Sequence, residues 1–438
     1  MAGPLMHETA ERLYERDRVV AGVEKLRFFP LAVESGQGSW LVEAGGRRLL
    51  DLSATWTACG LGHGHPAVRE ALARAASAPP GAGALSAVHE DSVALAEELL
   101  ELTPGSGDRR VYFGHAGSDA NDVAIRCAVH ATGRTKVLAF EHSYHGGIGV
   151  AMKASGVHVE AGSVAADKQV AFTPYPDPYR EPDRYEQVLA DLDQALAGGD
   201  VACLLVEPIL SDGGLVVPPD GFLTEVAARC AAAGTLLICD EVKVGLGRPG
   251  TWHAFGHDGI TPDIVTFGKS LGAGVPISAA VGPAAVFDEP AASALLTQAG
   301  NPYSTAVARA VLATYRSEGL VERAAAAGSR LRDGLREATA HLDVVGDIRG
   351  RGLAIGVDLV TDRAGRTRNP ELAAKTVYRV WELGGVVFYV GGNVLEVTPP
   401  LVITDDEVDQ AVELLAQGIE DAAAGKVSDA QVAPYSGW

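Results

Sequence analysis

The sequence predicts an α/β fold with a mostly parallel central sheet flanked by helices, and three observations carry that reading. Short apolar runs recur through the middle of the chain, stretches of helical spacing separate them, and Gly, Pro or polar residues mark the junctions. The runs are 137–140, 203–206, 236–239 and 264–267. Each is short and uniformly apolar, which suits strands covered on both faces, and parallel strands need crossover segments of the kind found between them. At 438 residues the chain exceeds the usual size of one compact domain. The expected division is a large domain at 56–305 and a smaller α+β domain built from 1–55 and 306–438.

In chain order, residues 70–78 form an Ala-rich helical stretch. After Gly117 and Ser118, small or apolar residues recur at Ala120, Val123, Ala124, Cys127 and Ala128, one face of a helix that Gly133 should end. Ser118 or Asp119 is the expected cap. Residues 174–182, rich in Pro, Asp and aromatics, read as a surface excursion. Pro399 and Pro400 mark a turn, and Thr404 with Glu407 forms a capping box before the apolar stripe Val408, Ala411, Val412 and Leu415.

A net charge of -20 and a pI near 5.0 argue against a nucleic-acid partner, which requires a clustered basic face. Such a surface serves solubility, and it would attract a cationic substrate if an acid also stood at the site. The five cysteines, Cys59, Cys127, Cys203, Cys230 and Cys239, have no disulfide or zinc spacing. Residues 1–18 lack an apolar signal core, and no uncharged apolar run would span a bilayer. A cytoplasmic, membrane-free location is expected.

Three segments carry chemistry. Residues 111–118 run from an apolar stretch through small residues into a helix, aiming backbone N–H groups at one point where a phosphate would bind. Asp240 and Glu241 end the apolar run 236–239, where ligands collect in parallel sheets. Lys269 follows 264–267 among small residues, a confined setting that lowers an amine pKa and makes a nucleophile. Singly, these features are more often a turn, a cap and a surface lysine. Together and in this order, they are the parts a pyridoxal-phosphate enzyme needs.

These stretches resemble the class III aminotransferases, the ornithine or 4-aminobutyrate aminotransferase family, over nearly the whole chain. The likeness lies in residues 61–66, 144–146, 207–208, 240–242, 245–248, 262–263 with Lys269, 300–302 and 349–353. It implies the fold type I architecture, a homodimer with shared active sites, and pyridoxal 5'-phosphate held on Lys269 as a Schiff base and cycling through pyridoxamine phosphate. It also implies roles: Asp240 at the pyridine nitrogen, Gly117 and Ser118 at the phosphate, Tyr144 and Val242 on the two ring faces, and Glu207 in support. Thr297 would reach the phosphate of the neighbouring subunit. His63 and His65 fall in a Gly-rich turn that the family shares, so no metal is expected.

Two departures stand out. Lys243 replaces a frequent Gln, and would either retune the cofactor or point away. Glu396 replaces an Arg that in many members grips a substrate carboxylate, which a Glu would repel. With Trp56, the Glu is similar to glutamate-1-semialdehyde aminomutase, and it equally suits ammonium-bearing substrates such as those of the amino-sugar aminotransferases of aminoglycoside, and hence antibiotic, pathways. The expected activity is transamination of an aldehyde or ketone lacking an adjacent carboxylate, plausibly an amino sugar, with Trp56 and Glu396 as substrate residues. The alternatives are an aminomutase, an epimerase, a decarboxylase (207–214 being loosely similar to dialkylglycine decarboxylase), an ordinary amino-acid or omega-amino-acid aminotransferase, or a non-catalytic binding protein. Phe28, Phe29 and Tyr389 are guesses for the outer pocket.

Overall fold

Three sheets organise the computed structural model, which describes residues 10–77, 84–435 and 437. Residues 1–9 and Ala78, named above, lie outside the described residues. The strands in chain order are β1 Val33–Gln37, β2 Trp40–Glu43, β3 Arg48–Asp51, β4 Arg109–Gly114, β5 Lys136–Phe140, β6 Val170–Thr173, β7 Val201–Val206, β8 Leu236–Asp240, β9 Ile264–Phe267, β10 Ser278–Pro283, β11 Val345–Arg351, β12 Ala354–Leu359, β13 Gly385–Val386, β14 Phe388–Val390 and β15 Val394–Val397.

The central sheet has seven strands in the order β4-β10-β9-β8-β7-β5-β6. The pairings from β9 through β8, β7 and β5 to β6 are parallel, and β10 runs antiparallel to both β4 and β9. The four apolar runs are β5, β7, β8 and β9. Every residue of β7 and β9 is buried, as expected of strands covered on both faces. An apolar cluster packs the Gly117–Thr132 helix against the sheet, and a larger one continues from the sheet into the C-terminal half.

A second sheet, β1-β2-β3-β13, joins the two ends of the chain through the parallel pair of β3 and β13. The third is β11-β12-β15-β14, antiparallel throughout. The Asp405–Ala423 helix starts at the expected capping box: Thr404 N donates to Glu407 Oε2 at 2.9 Å, and Glu407 N to Thr404 Oγ1 at 3.3 Å.

One local expectation is resolved between its alternatives and one is corrected. The Gly117–Thr132 helix is capped from within by Asp119, whose carboxylate accepts from His115 N at 2.9 Å and Ala116 N at 3.2 Å, whereas Ser118 lies inside the first turn. Its hydroxyl instead accepts from Gly147 N at 3.1 Å. The excursion at 174–182 is anchored rather than superficial. Tyr175 is buried, packs edge-on against Phe140 and Phe222, and donates its hydroxyl to Glu207 O at 3.1 Å. Its bulk of apolar ring decides the matter over the prolines on either side.

Candidate active site

The carboxyl ends of β7, β8 and β9 and the start of the Gly117–Thr132 helix converge on a cavity of about 520 Å³. Ser118, Tyr144, Asp212, Asp240, Lys243 and Lys269 line it, together with Gly117, Glu207 and Val242. Ends of parallel strands meeting a helix N-terminus form a ligand crevice by construction.

Asp240, the last residue of β8, is buried and held on three sides. Its Oδ2 accepts from Asn121 Nδ2 at 2.7 Å and lies 2.8 Å from His145 Nδ1, and its Oδ1 accepts from Val242 N at 3.0 Å. These bonds fix the carboxylate at the cavity wall. Glu207, directly after β7, accepts from Tyr144 N at 2.9 Å and Ser211 N at 3.2 Å. Burial pushes its pKa up to about 7 against the opposing pull of His145. Burial also raises the Tyr144 phenol, and the charge of Asp212 adds to the shift.

Gly117 is a glycine for steric reasons: a Cβ there would lie 2.4 Å from Val242 Cγ1. The Gly268 Cβ position is 3.2 Å from both Gly117 N and Val242 Cγ1, so the chain enters Lys269 along the Val242 wall. Lys269 has φ +40°, a left-handed conformation that costs a non-glycine residue on the order of 1–3 kcal/mol and that concentrates at functional sites. Its amine pKa is lowered, first by burial and then by the charge of Lys243.

The two departures noted in the sequence are one feature. Lys243 Nζ lies 2.9 Å from Glu396 Oε1 and 3.0 Å from Asp212 Oδ2, and all three side chains are buried. Burial alone would discharge Lys243, but the two carboxylates reverse that and hold it protonated. Glu396, in β15, therefore has its charge answered within the chain. Its pKa is raised, first by burial, and Lys243 opposes the shift.

Trp56 stands behind the same lysine, its ring 5.1 Å from Nζ. It is presented by four consecutive left-handed residues, Ala54 to Thr57, with φ from 46° to 69°. Asp51 braces this turn, accepting from Ser53 N at 2.9 Å and Ala54 N at 3.0 Å, while its other oxygen meets His63 Nε2 at 2.8 Å. His65 Nδ1 accepts from Ala67 N at 3.2 Å. Phe388 stacks on Trp56 with centroids 4.8 Å apart, and Phe28 on Phe388 at 5.0 Å. Tyr389 meets Phe28 edge-on, whereas Phe29 stacks between Phe388 and Trp381.

The structure thus brings together Gly117, Ser118, Tyr144, Glu207, Asp240, Val242, Lys243 and Lys269, with Trp56 and Glu396 behind Lys243. Thr297 lies apart, exposed in a turn. Asp212, Asn121 and His145 were missed as site residues. Asn121 follows Ser118 by nearly one helical turn, and Asp212 follows the Glu207 strand end by five residues, so spacing from recognised positions would have found both.

Comparison with known proteins agrees with this arrangement. The family model described as aminotransferase class-III matches residues 21–419. The leucine/methionine racemase of Thermococcus litoralis is 34% identical over 98% of this chain and 99% of its own. The acetylornithine aminotransferase of Mycobacterium bovis is 38% identical over 90% and 93%. A solved (S)-enantioselective omega-transaminase from Thermomicrobium roseum superposes with a TM-score of 0.87 at 29% identity, covering 95% of this chain and all of that one. The fold is therefore that of the fold type I aminotransferases, and the chain belongs to the class-III aminotransferase family.

Proposed function

We propose that this protein is a pyridoxal-phosphate-dependent racemase or epimerase that inverts an amine-bearing carbon, with Lys269 and Asp212 working from opposite walls of the cavity. The cofactor assignment is supported by the fit of the residues. Gly117, packed too closely on Val242 to carry a Cβ, leaves bare backbone at the helix entrance where a phosphate would sit, and the buried, triply bonded Asp240 would suit a protonated pyridine nitrogen. When bound, pyridoxal phosphate supplies an electron sink that acidifies the C–H next to the amine.

The residues supply the rest. Lys269 reaches the cavity along the Val242 wall, where its amine takes a proton from one side of the carbon. Asp212 lines the same cavity with its carboxylate 3.0 Å from Lys243 Nζ, and it is assigned as the second acid–base group, facing the carbon from the side away from Lys269. Inversion requires a proton donor and a proton acceptor across one carbon. The presence of a second acid, Asp212, in the lining of the cavity that holds Lys269 is the observation that carries the proposal, and the likeness to the leucine/methionine racemase supports it. The dimer expected from the family likeness would let Thr297 of one subunit complete the phosphate site of the other.

A single enantiomer of a neutral amino acid or its amide, incubated in deuterium oxide, should yield the opposite enantiomer deuterated at the α carbon, with no keto acid required. Asp212→Asn should lower inversion by about 10²–10⁴-fold while the Lys269 side continues to exchange deuterium with retention. Unchanged inversion in that variant, or none in the wild type, would sink the proposal. Transamination is the second reading, favoured by the 38% identity to the acetylornithine aminotransferase, and would appear as keto-acid-dependent loss of the amine. The amino-sugar substrate rested on a free Glu396 carboxylate, and that carboxylate is engaged by Lys243.

A further inference from the structure

We infer that the substrate carries a neutral carbonyl beside its amine, as the amide of an α-amino acid does, and not a free carboxylate. The inference rests on the inversion reading for the identity of the reacting carbon. It follows from where positive charge is and is not free. A buried carboxylate needs a cation, best a forked guanidinium. Among the described residues lining the cavity, the basic side chains are His115, His145, Lys243 and Lys269.

Lys269 is reserved for the cofactor and the proton. His145 faces Asp240 at 2.8 Å, and His115 lies 3.8 Å from Asp119. Lys243 has one carboxylate at 2.9 Å, another at 3.0 Å and the Trp56 ring at 5.1 Å. Two acids against one base leave this wall with a surplus of one negative charge. Protonating Glu396 would only neutralise the wall, since Asp212 still answers Lys243. An incoming carboxylate would bring a third anion and four acceptor sites to a wall already rich in acceptors. An amide brings no charge and two N–H donors, which that wall satisfies. Glu396, through Lys243, is then a specificity-determining residue.

The test compares leucinamide with leucine on the holoenzyme, following both α-deuteration by NMR and product handedness by chiral chromatography. The amide should be preferred by at least about tenfold in kcat/KM. Glu396→Gln should narrow that preference by about the same factor, mainly through a lower KM for leucine, because Lys243 keeps one carboxylate partner instead of two. A wild-type preference for leucine, turnover of neither compound, or a preference unmoved by Glu396→Gln overturns the inference. Product handedness is read separately. A ketone in place of the opposite enantiomer, with the amide still preferred, removes the inversion reading and keeps the substrate class.

Discussion

Lys243 is a charge that burial would remove were it not for Asp212 and Glu396, so each member of the trio depends on the other two. Lys243→Met leaves two buried carboxylates without a cation and is expected to destabilise the protein by about 3–5 kcal/mol. The added change Glu396→Leu should recover part of that loss, because it removes one of the two stranded carboxylates while Asp212 stays without its cation. A denaturant titration of the single and double variants checks both expectations through the first unfolding transition. His63 offers a pH-dependent counterpart. Burial pushes its pKa down, but the bond to Asp51, with a smaller share from Cys59, outweighs burial and lifts it to about 9 from the ordinary 6.5. A group with a raised folded pKa stabilises fully below the unfolded value, and that contribution drains as pH rises to the folded one. The melting temperature should therefore fall by a few degrees between pH 6.5 and pH 9, beyond any general trend, and His63→Gln should flatten this segment of the profile. The trio was not legible in the sequence. Lys243 and Glu396 are 153 positions apart, and only the fold reveals that two departures from a family pattern compensate each other.

At the level of elements, the entrance of the Gly117–Thr132 helix is the most constrained feature. Gly117→Ala would drive a methyl into Val242 and is expected to weaken pyridoxal phosphate binding by at least about tenfold. Val242→Ala in the same chain should restore part of it, and fluorescence titration of the apoprotein with cofactor measures both. This entrance was readable only in combination, because an apolar run passing through small residues into a helix is by itself more often a plain cap, and the strand-end Asp240 and confined Lys269 gave it its meaning. Strands β5, β7, β8 and β9 were readable for a related reason: burial on both faces writes a continuous apolar run. Strand β10 was not, because Ser278–Pro283 consists of small residues whose burial comes from lying between β4 and β9. Edge strand β6 has only one fully buried residue, so its four positions gave no clear period. The cap was narrowed only to Ser118 or Asp119 because propensity identifies residues able to cap, whereas the reach of Asp119 back to His115 depends on the turn preceding it.

Across the whole molecule, the chain ends share one sheet through β3 and β13, which suits the proposed smaller unit built from both termini around a central 56–305. The exposed Thr297 is expected to matter only between subunits. Thr297→Ala should raise the cofactor dissociation constant without altering the subunit's own fold, and sedimentation with cofactor titration would show a dimer of weakened affinity. The ion pair between Lys243 and Glu396 has a mechanical side as well. Lys243 stands just past the central sheet, in the cavity lining, and Glu396 within β15, so the pair bolts two separate sheets together beside the cavity. Any hinge motion that swung the β15 layer outward would pull a buried ammonium from one of its two counterions before water could replace it. That side of the cavity should therefore stay shut throughout turnover.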